Sequence, residues 1–392
     1  MLHYFILFLL NINTLHSQPS DCNGAKCKQS HNLYDKESNY FLTQYNKALA
    51  LYKNQTCDEC SCYLNVIEAD LRPFKNGITE EMIRICSSKG VKYQLIEGKW
   101  YRSKECLFPS RCEGVEYFLD KLSHELPDLE LCVNFHDWSQ ISKYHSTPLP
   151  LFSFSKTNDY YDIMYPAWSF WKGGPAIKLI PQGLGRWDLG RQSLLKSAER
   201  WPWGNKVRKA FFRGSRTSSE RDNIVLLSRA NPSIADAAYT KNQAWKSVKD
   251  TLGEPPTDEI SLEDHCKYKY LFNFRGVAAS FRFKYLFLCR SLVIHVGDEW
   301  KEFFYPSLKP WIHFVPLDKN ATIEDYRKLL NFLNEEDNIA KSIALRGFDF
   351  VYKYLKMEDI FCYWRRLLIQ YSKLLTFEPK YSAELILLKK SS

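Results

Sequence analysis

The sequence of 392 residues contains neither G-x-G-x-x-G nor G-x-x-x-x-G-K-[ST], which argues against a dinucleotide fingerprint or a P-loop. No Asp-x-Asp triplet occurs, and Asp162, Asp188 and the pair Asp298-Glu299 stand apart. A metal site built on that acidic spacing is therefore not expected. Cys57 and Cys60 have C-x₂-C spacing, but no second such pair and no H-x₃₋₅-H follows. A structural zinc needs four ligands, so disulfides are the better reading of these cysteines. No Lys/Arg run is dense enough to argue for nucleic acid. No apolar run approaches the roughly 20 residues that a membrane helix requires.

The chain does hold a short apolar start, Leu2 to Leu10, followed by small Ser17. This reads as a signal peptide over residues 1–17 that delivers a soluble mature protein to the secretory pathway. Twelve cysteines fit an oxidising lumen. The sequons Asn54-Gln55-Thr56 and Asn320-Ala321-Thr322 agree with it. The length fits two domains rather than one core. A net charge of +9 suits an anionic partner such as a nucleotide diphosphate, and equally a solvated basic surface.

A hairpin is expected at Tyr93 to Trp100, turning at Glu97-Gly98, and strands at Leu129 to Phe135 and Leu149 to Phe154. Gly173 to Gly190, rich in Gly and Pro, reads as a long loop. In the second half, strands are expected to end at Gly214, Phe274, Val296 and Pro316, with the last beginning at Trp311. Helices follow from Ser219, from the segment opened by Arg275, and from Thr322, where Thr322-Ile323-Glu324-Asp325 resembles a capping box. Strand, helix, strand alternation implies a parallel sheet and two α/β domains with a cleft between them. Helices at 322–334, 338–355 and 357–374 close the chain.

Asp137 lies just past the expected strand ending at Phe135. In open α/β sheets that end faces the ligand crevice. A carboxylate there can take the proton of an attacking hydroxyl, although Asp also suits a turn or helix N-cap. Phe212-Arg213-Gly214-Ser215-Arg216-Thr217, with Arg221 beyond, offers hydroxyls, a Gly turn and guanidinium groups, of which Arg216 or Arg221 could clamp a diphosphate. Arg275-Gly276-Val277-Ala278-Ala279-Ser280-Phe281-Arg282 offers small residues that admit a ligand to the backbone. Both segments equally suit surface arginines and close helix packing. Glu299 is placed to accept from a ribose hydroxyl or to serve as a loop carboxylate. His136, His265, His295 and His313 read as core or site-lining residues rather than ligands.

These segments together resemble the CAP10-like glycosyltransferases. The likeness rests on long strings: Leu107-Phe108-Pro109-Ser110-Arg111-Cys112, Phe152 to Thr157, Asp162 to Trp168, Gly183 to Asp188, Phe212 to Thr217 and His265 to Lys284. It covers roughly Cys57 to Leu375. The resemblance implies an α/β, GT-B-like fold of two Rossmann-like domains facing across a cleft. It implies an acceptor-side domain over residues 18–182, a UDP-sugar-binding domain over 183–356, and a final segment, 357–392, returning to the first domain. It further implies inverting transfer of glucose from UDP-glucose, without a metal, to serine in the C-x-S-x-P/A-C motif of folded EGF-like repeats, as on Notch-type receptors. By motif position Asp137 would be the general base. Ser215, Arg221, Val277, Ala278, Ala279, Ser280, Phe281 and Arg282 would hold the UDP-sugar. Leu107, Phe108, Pro109, Ser110 and Arg111 would meet the acceptor, with Ala176, Ile177, Lys178, Leu179, Ile180, Pro181 and Gln243. The implied disulfides are Cys57–Cys62, Cys60–Cys362, Cys106–Cys112 and Cys266–Cys289. Cys22 and Cys27 are left to pair, and Cys86 and Cys132 to remain buried thiols.

The chain is expected to act as a monomer in the endoplasmic reticulum lumen. Its Lys-Lys-Ser-Ser ending is not KDEL-like, which leaves secretion open. Two alternatives stand beside this reading: xylose transfer from UDP-xylose to the same serine, and a non-catalytic lumenal binder that helps EGF-like repeats fold.

Overall fold

A computed structural model describes residues 39–54, 56–174, 179, 183–242 and 245–388. The expected signal peptide, the Cys22/Cys27 pair and the final residues 389–392 lie outside them. So do Gln55, Ala176, Ile177, Lys178, Ile180, Pro181 and Gln243.

The described residues form eleven strands: β1 (Val91–Ile96), β2 (Lys99–Arg102), β3 (Leu129–Val133), β4 (Leu151–Ser153), β5 (Ile163–Met164), β6 (Val207–Gly214), β7 (Ala235–Tyr239), β8 (Tyr268–Phe274), β9 (Leu292–Val296), β10 (Val315–Leu317) and β11 (Ile386–Leu387). They build a mixed six-stranded sheet, ordered β11-β2-β1-β3-β4-β5, and a five-stranded sheet, ordered β10-β9-β8-β6-β7. In the first, β1 pairs antiparallel with β2 and β3, while β3, β4 and β5 run parallel. Every pair in the second is parallel. The burial of both faces explains the near-continuous apolar runs Leu292–Val296 and Tyr270–Phe272.

The order of the five-stranded sheet decides where a ligand can sit. The chain leaves β6 for β7 on one side, then returns to β8 on the other side of β6 and continues outward to β9 and β10. Connections from the carboxyl ends of β6 and β8 therefore diverge, and the gap between them is the crevice such sheets use.

Several expected elements shift in the structure. The hairpin forms, with Glu97 and Gly98 at positive φ in its turn. The expected loop to Gly190 stops sooner, because a helix runs from Trp187 to Arg200. The last strand begins at Val315 rather than Trp311, whose φ of 62° is left-handed and breaks the extended backbone. The segment from Arg275 stays in turns, and its helix covers only Phe283–Phe287. The capping box at Thr322 is complete: its hydroxyl accepts from Asp325 N, and the Asp325 carboxylate accepts from Thr322 N.

The helix Met357–Ser372 follows two helices of the second half but packs on the first sheet's core. Its Tyr371 hydroxyl donates to Glu130 O on β3 and its Tyr363 hydroxyl to Met164 O on β5. Disulfide Cys60–Cys362 fastens the same helix, bridging a sequence separation of 302. The other disulfides are Cys57–Cys62, Cys106–Cys112 and Cys266–Cys289, while Cys86 and Cys132 are buried free thiols. No helix among the described residues is long and apolar enough to cross a membrane.

Candidate active site at the junction of the two sheets

The carboxyl end of β3 leads into a tight polar loop that carries Asp137. Buried Asn134 anchors this loop, donating to Trp138 O at 2.7 Å and Ser153 Oγ at 2.9 Å and accepting from His136 N. Buried Asp162 closes its far side by accepting from Gln140 N, Ile141 N and Ser153 Oγ. Two buried polar groups thus satisfy the backbone of the loop, which fixes its path. The Asp137 side chain remains 36% exposed at the tip, so a substrate hydroxyl has access to it.

One cation holds that carboxylate. Arg111 pairs with Asp137 at 3.2 Å and donates to Phe135 O at 2.5 Å. Its guanidinium lies over the Phe108 ring at 4.2 Å and the Trp168 ring at 4.6 Å. Arg111 sits in the first turn of the helix Pro109–Leu122, and Cys106–Cys112 staples the turn that precedes it. This helix lies so close to Trp168 that a Cβ on Gly114 would fall 2.8 Å from Trp168 O. Leu107 is 71% exposed and Pro109 and Ser110 are exposed beside it. Of the other expected acceptor contacts, the described Leu179 donates its N–H to Glu259.

The opposite wall comes from the carboxyl ends of β6 and β8, at the divergence of the sheet. Ser215 is half-buried, and its carbonyl accepts from Arg221 at 2.5 Å. Buried Arg221 also donates to Arg275 O, while its Nε finds no partner among the described residues. Arg282 donates to Arg213 O and leaves no room for a side chain on Gly214, whose added Cβ would meet the guanidinium at 2.7 Å. Burial, then the neighbouring Arg282 and Arg275 charges, push Arg221 down to about 9, and burial pushes Arg282 down to about 10. Neighbouring cations that repel one another, buried Arg221 and half-buried Arg282 among them, favour an incoming anion. Arg216 does not join them: it forms a bidentate pair with Asp222. Arg275 is paired with Glu220, and Glu299 with Lys319.

The two walls touch. Ala279 N donates to Ser155 Oγ at 3.3 Å. The Phe281 ring stacks on Phe154 at 4.9 Å and lies 5.7 Å from Trp168. A line of contacts thus runs from Asp137 through Arg111 and Trp168 to Phe281 beside the arginines. Val277 is 50% exposed, while Ala278, Ala279 and Ser280 are buried.

His265, His295 and His313 are core groups, with ring nitrogens meeting Ser261 O, the Asn273 amide and Lys309 N respectively. Burial pushes them down to about 3, about 4 and about 3. Among the described residues no three His, Cys, Asp or Glu side chains are grouped to hold a metal ion. The sequence points to Arg111 and places Trp168 in a motif string, but it does not show the pairing of Arg111 with Asp137, the contact of Trp168 with Arg111, or the role of Asn134. The signal for Asn134 is a lone amide closing an apolar strand.

Comparison with known proteins gives the same direction. Glycosyl transferase family 90 matches residues 55–392. An O-glucosyltransferase rumi homolog of Aedes aegypti is 56% identical over 355 residues, 90% of this chain and 88% of the relative. Protein O-glucosyltransferase 1 of Mus musculus is 55% identical over 340 residues, 86% of each chain. O-glucosyltransferase rumi of Drosophila melanogaster is 54% identical over 350 residues, 88% of this chain and 85% of the relative.

Proposed function

The chain belongs to glycosyl transferase family 90, and from that premise we propose that it is an inverting protein O-glucosyltransferase. Its donor is UDP-glucose, and its acceptor is serine in the C-x-S-x-P/A-C motif of a folded EGF-like repeat. The two sheets act as the halves of a GT-B-like enzyme: 18–182 takes the acceptor, 183–356 takes the nucleotide sugar, and 357–392 straps back onto the first. The reaction takes place in the lumen of the secretory pathway.

In the chemistry, Asp137 accepts the serine proton as the hydroxyl oxygen attacks the anomeric carbon from the face opposite the diphosphate. Arg111 orients the carboxylate from behind. The C–O bond to the diphosphate breaks as the new glycosidic bond forms. Arg221, Arg282 and the backbone of 277–282 take up the charge on the departing UDP, as pre-aimed cations and dipoles do in other transfers. The Cys106–Cys112 turn, with exposed Leu107, Pro109 and Ser110, receives the repeat, together with 176–181 and Gln243.

The observation that carries this reading is the run of contacts linking Asp137, at the end of one parallel strand set, to the arginine wall at the end of the other. The test is to incubate a folded EGF-like repeat with UDP-glucose or UDP-xylose and weigh the product. A hexose gain is expected with UDP-glucose, and a pentose gain alone would make it a xylosyltransferase. Asp137→Asn should cut kcat by about 10²–10⁴ while the repeat still binds. Unchanged transfer would remove Asp137 from the mechanism, and a wild type that binds the repeat but transfers neither sugar would support a folding helper. EDTA should leave the rate unchanged, because guanidinium groups rather than an ion neutralise the diphosphate.

A further inference from the structure

Between the two walls lies a pair of fully buried charged side chains that the mechanism above does not use. Lys284 and Glu302 each have 0% exposure. The Lys284 ammonium donates to Phe281 O at 3.1 Å, the carbonyl at the edge of the arginine segment. It also donates to Ser169 Oγ at 3.4 Å. Ser169 follows Trp168 in the 3-10 turn Trp168–Phe170 of the opposite wall. The ammonium sits over the Phe170 ring at 4.5 Å and the Tyr285 ring at 4.9 Å. Neither Glu302 oxygen has a hydrogen-bond partner among the described residues, and neither does the Tyr285 hydroxyl. Burial raises Glu302 and lowers Lys284, and each charge opposes the other's shift.

An uncompensated buried ammonium is expensive, so an opposite charge in the same interior sustains it. A methionine would fill that interior at less cost if packing were the only task. What the ammonium adds is a two-ended tie. One end holds the backbone beside Arg282, and the other holds the turn that presents Trp168 to Arg111.

We propose that Lys284 is a positioning residue for transfer: it sets the spacing between the donor-binding arginine wall and Asp137, with Glu302 as its buried counter-charge. The proposal rests on the reading of the reaction given above. Lys284 is enclosed by protein, so it touches neither substrate, and its loss should appear in kcat rather than in binding.

The double variant Lys284→Met/Glu302→Gln removes both charges together and keeps the volume, leaving the tie as the main loss. Its thermal midpoint, its Kd for UDP, and its kcat and KM with an EGF-like repeat and UDP-glucose are compared with wild type. Expected are a folded protein, Kd and KM within about twofold of wild type, and kcat lower by about 100-fold, as a misplacement near 1 Å produces. A wild-type kcat overturns the proposal, and so does a raised KM at constant kcat. Should the double variant not fold, Ser169→Ala cuts one end of the tie and leaves the charges whole. A kcat several-fold lower supports the proposal, and an unchanged kcat overturns it. If wild type proves to transfer another sugar, the function reading fails separately, and the same comparison is made with that sugar.

Discussion

Arg221 shows how much one side chain in this site is asked to do. Its guanidinium joins the Ser215 and Arg275 carbonyls, spanning the two diverging connections, while its Nε is left over among the described residues. A lysine keeps the charge but cannot make both bonds in one plane. Arg221→Lys should weaken UDP binding by about 10-fold, near 1.4 kcal/mol, measured by titration calorimetry, with the acceptor KM unchanged. An equal loss for both ligands would mean that the residue supports the whole junction instead. At this scale Asp137, Ser215 and Arg221 were legible as chemistry-bearing types beside expected strand ends. The pairing of Arg111 with Asp137 was not, because it joins residues 26 apart in sequence that only tertiary packing brings together. Nor was the bidentate pairing of Arg216 with Asp222, which occupies that guanidinium.

Among elements, the helix Pro109–Leu122 has the sharpest constraint. It meets the turn Trp168–Phe170 at Gly114, where an added Cβ would fall 2.5 Å from Lys172 O and 2.8 Å from Trp168 O. Both obstacles are backbone, so one of the elements must move. Gly114→Ala should cost about 1–3 kcal/mol in stability by overpacking. It should also lower kcat more than it changes UDP affinity, since Arg111 rides on this helix and the arginine wall does not. Chemical denaturation and steady-state rates would check both halves of that expectation. Strand-length apolar runs make β8 and β9 legible in the sequence, and the capping box makes the helix at Thr322 legible. The weak strand Ala235–Tyr239 and the helix from Trp187 were not read. The first is a short run rich in alanine, and the second starts straight after Arg186 in a left-handed conformation. The segment 275–282 was misread as a helix start because small residues suit both a helix packed on a sheet and a tight turn.

For the molecule as a whole, buried histidines tie stability to acidity. In the unfolded chain each histidine gains a proton near pH 6.5. In the folded protein burial holds His265 and His313 at about 3 and His295 at about 4. Between those limits the unfolded state binds more protons, so stability is fullest above pH 6.5 and declines as pH falls. The thermal midpoint should therefore drop progressively from pH 6.5 to pH 4, and His313→Gln should flatten that slope. A midpoint constant across the range would mean that the rings take up protons in place.

The bond between Cys60 and Cys362 also has a consequence in time. A ribosome adds about 5–20 residues per second, so the 302 residues between these cysteines take about 15–60 s to appear. Throughout that wait the nascent first half lacks the packing that the late helix supplies, and Cys57 and Cys62 stand nearest to Cys60 in sequence, with six further cysteines emerging before Cys362. Oxidation of Cys60 during synthesis would pair it with one of these neighbours, and thiol–disulfide exchange is the chemistry that would then free it for its distant partner.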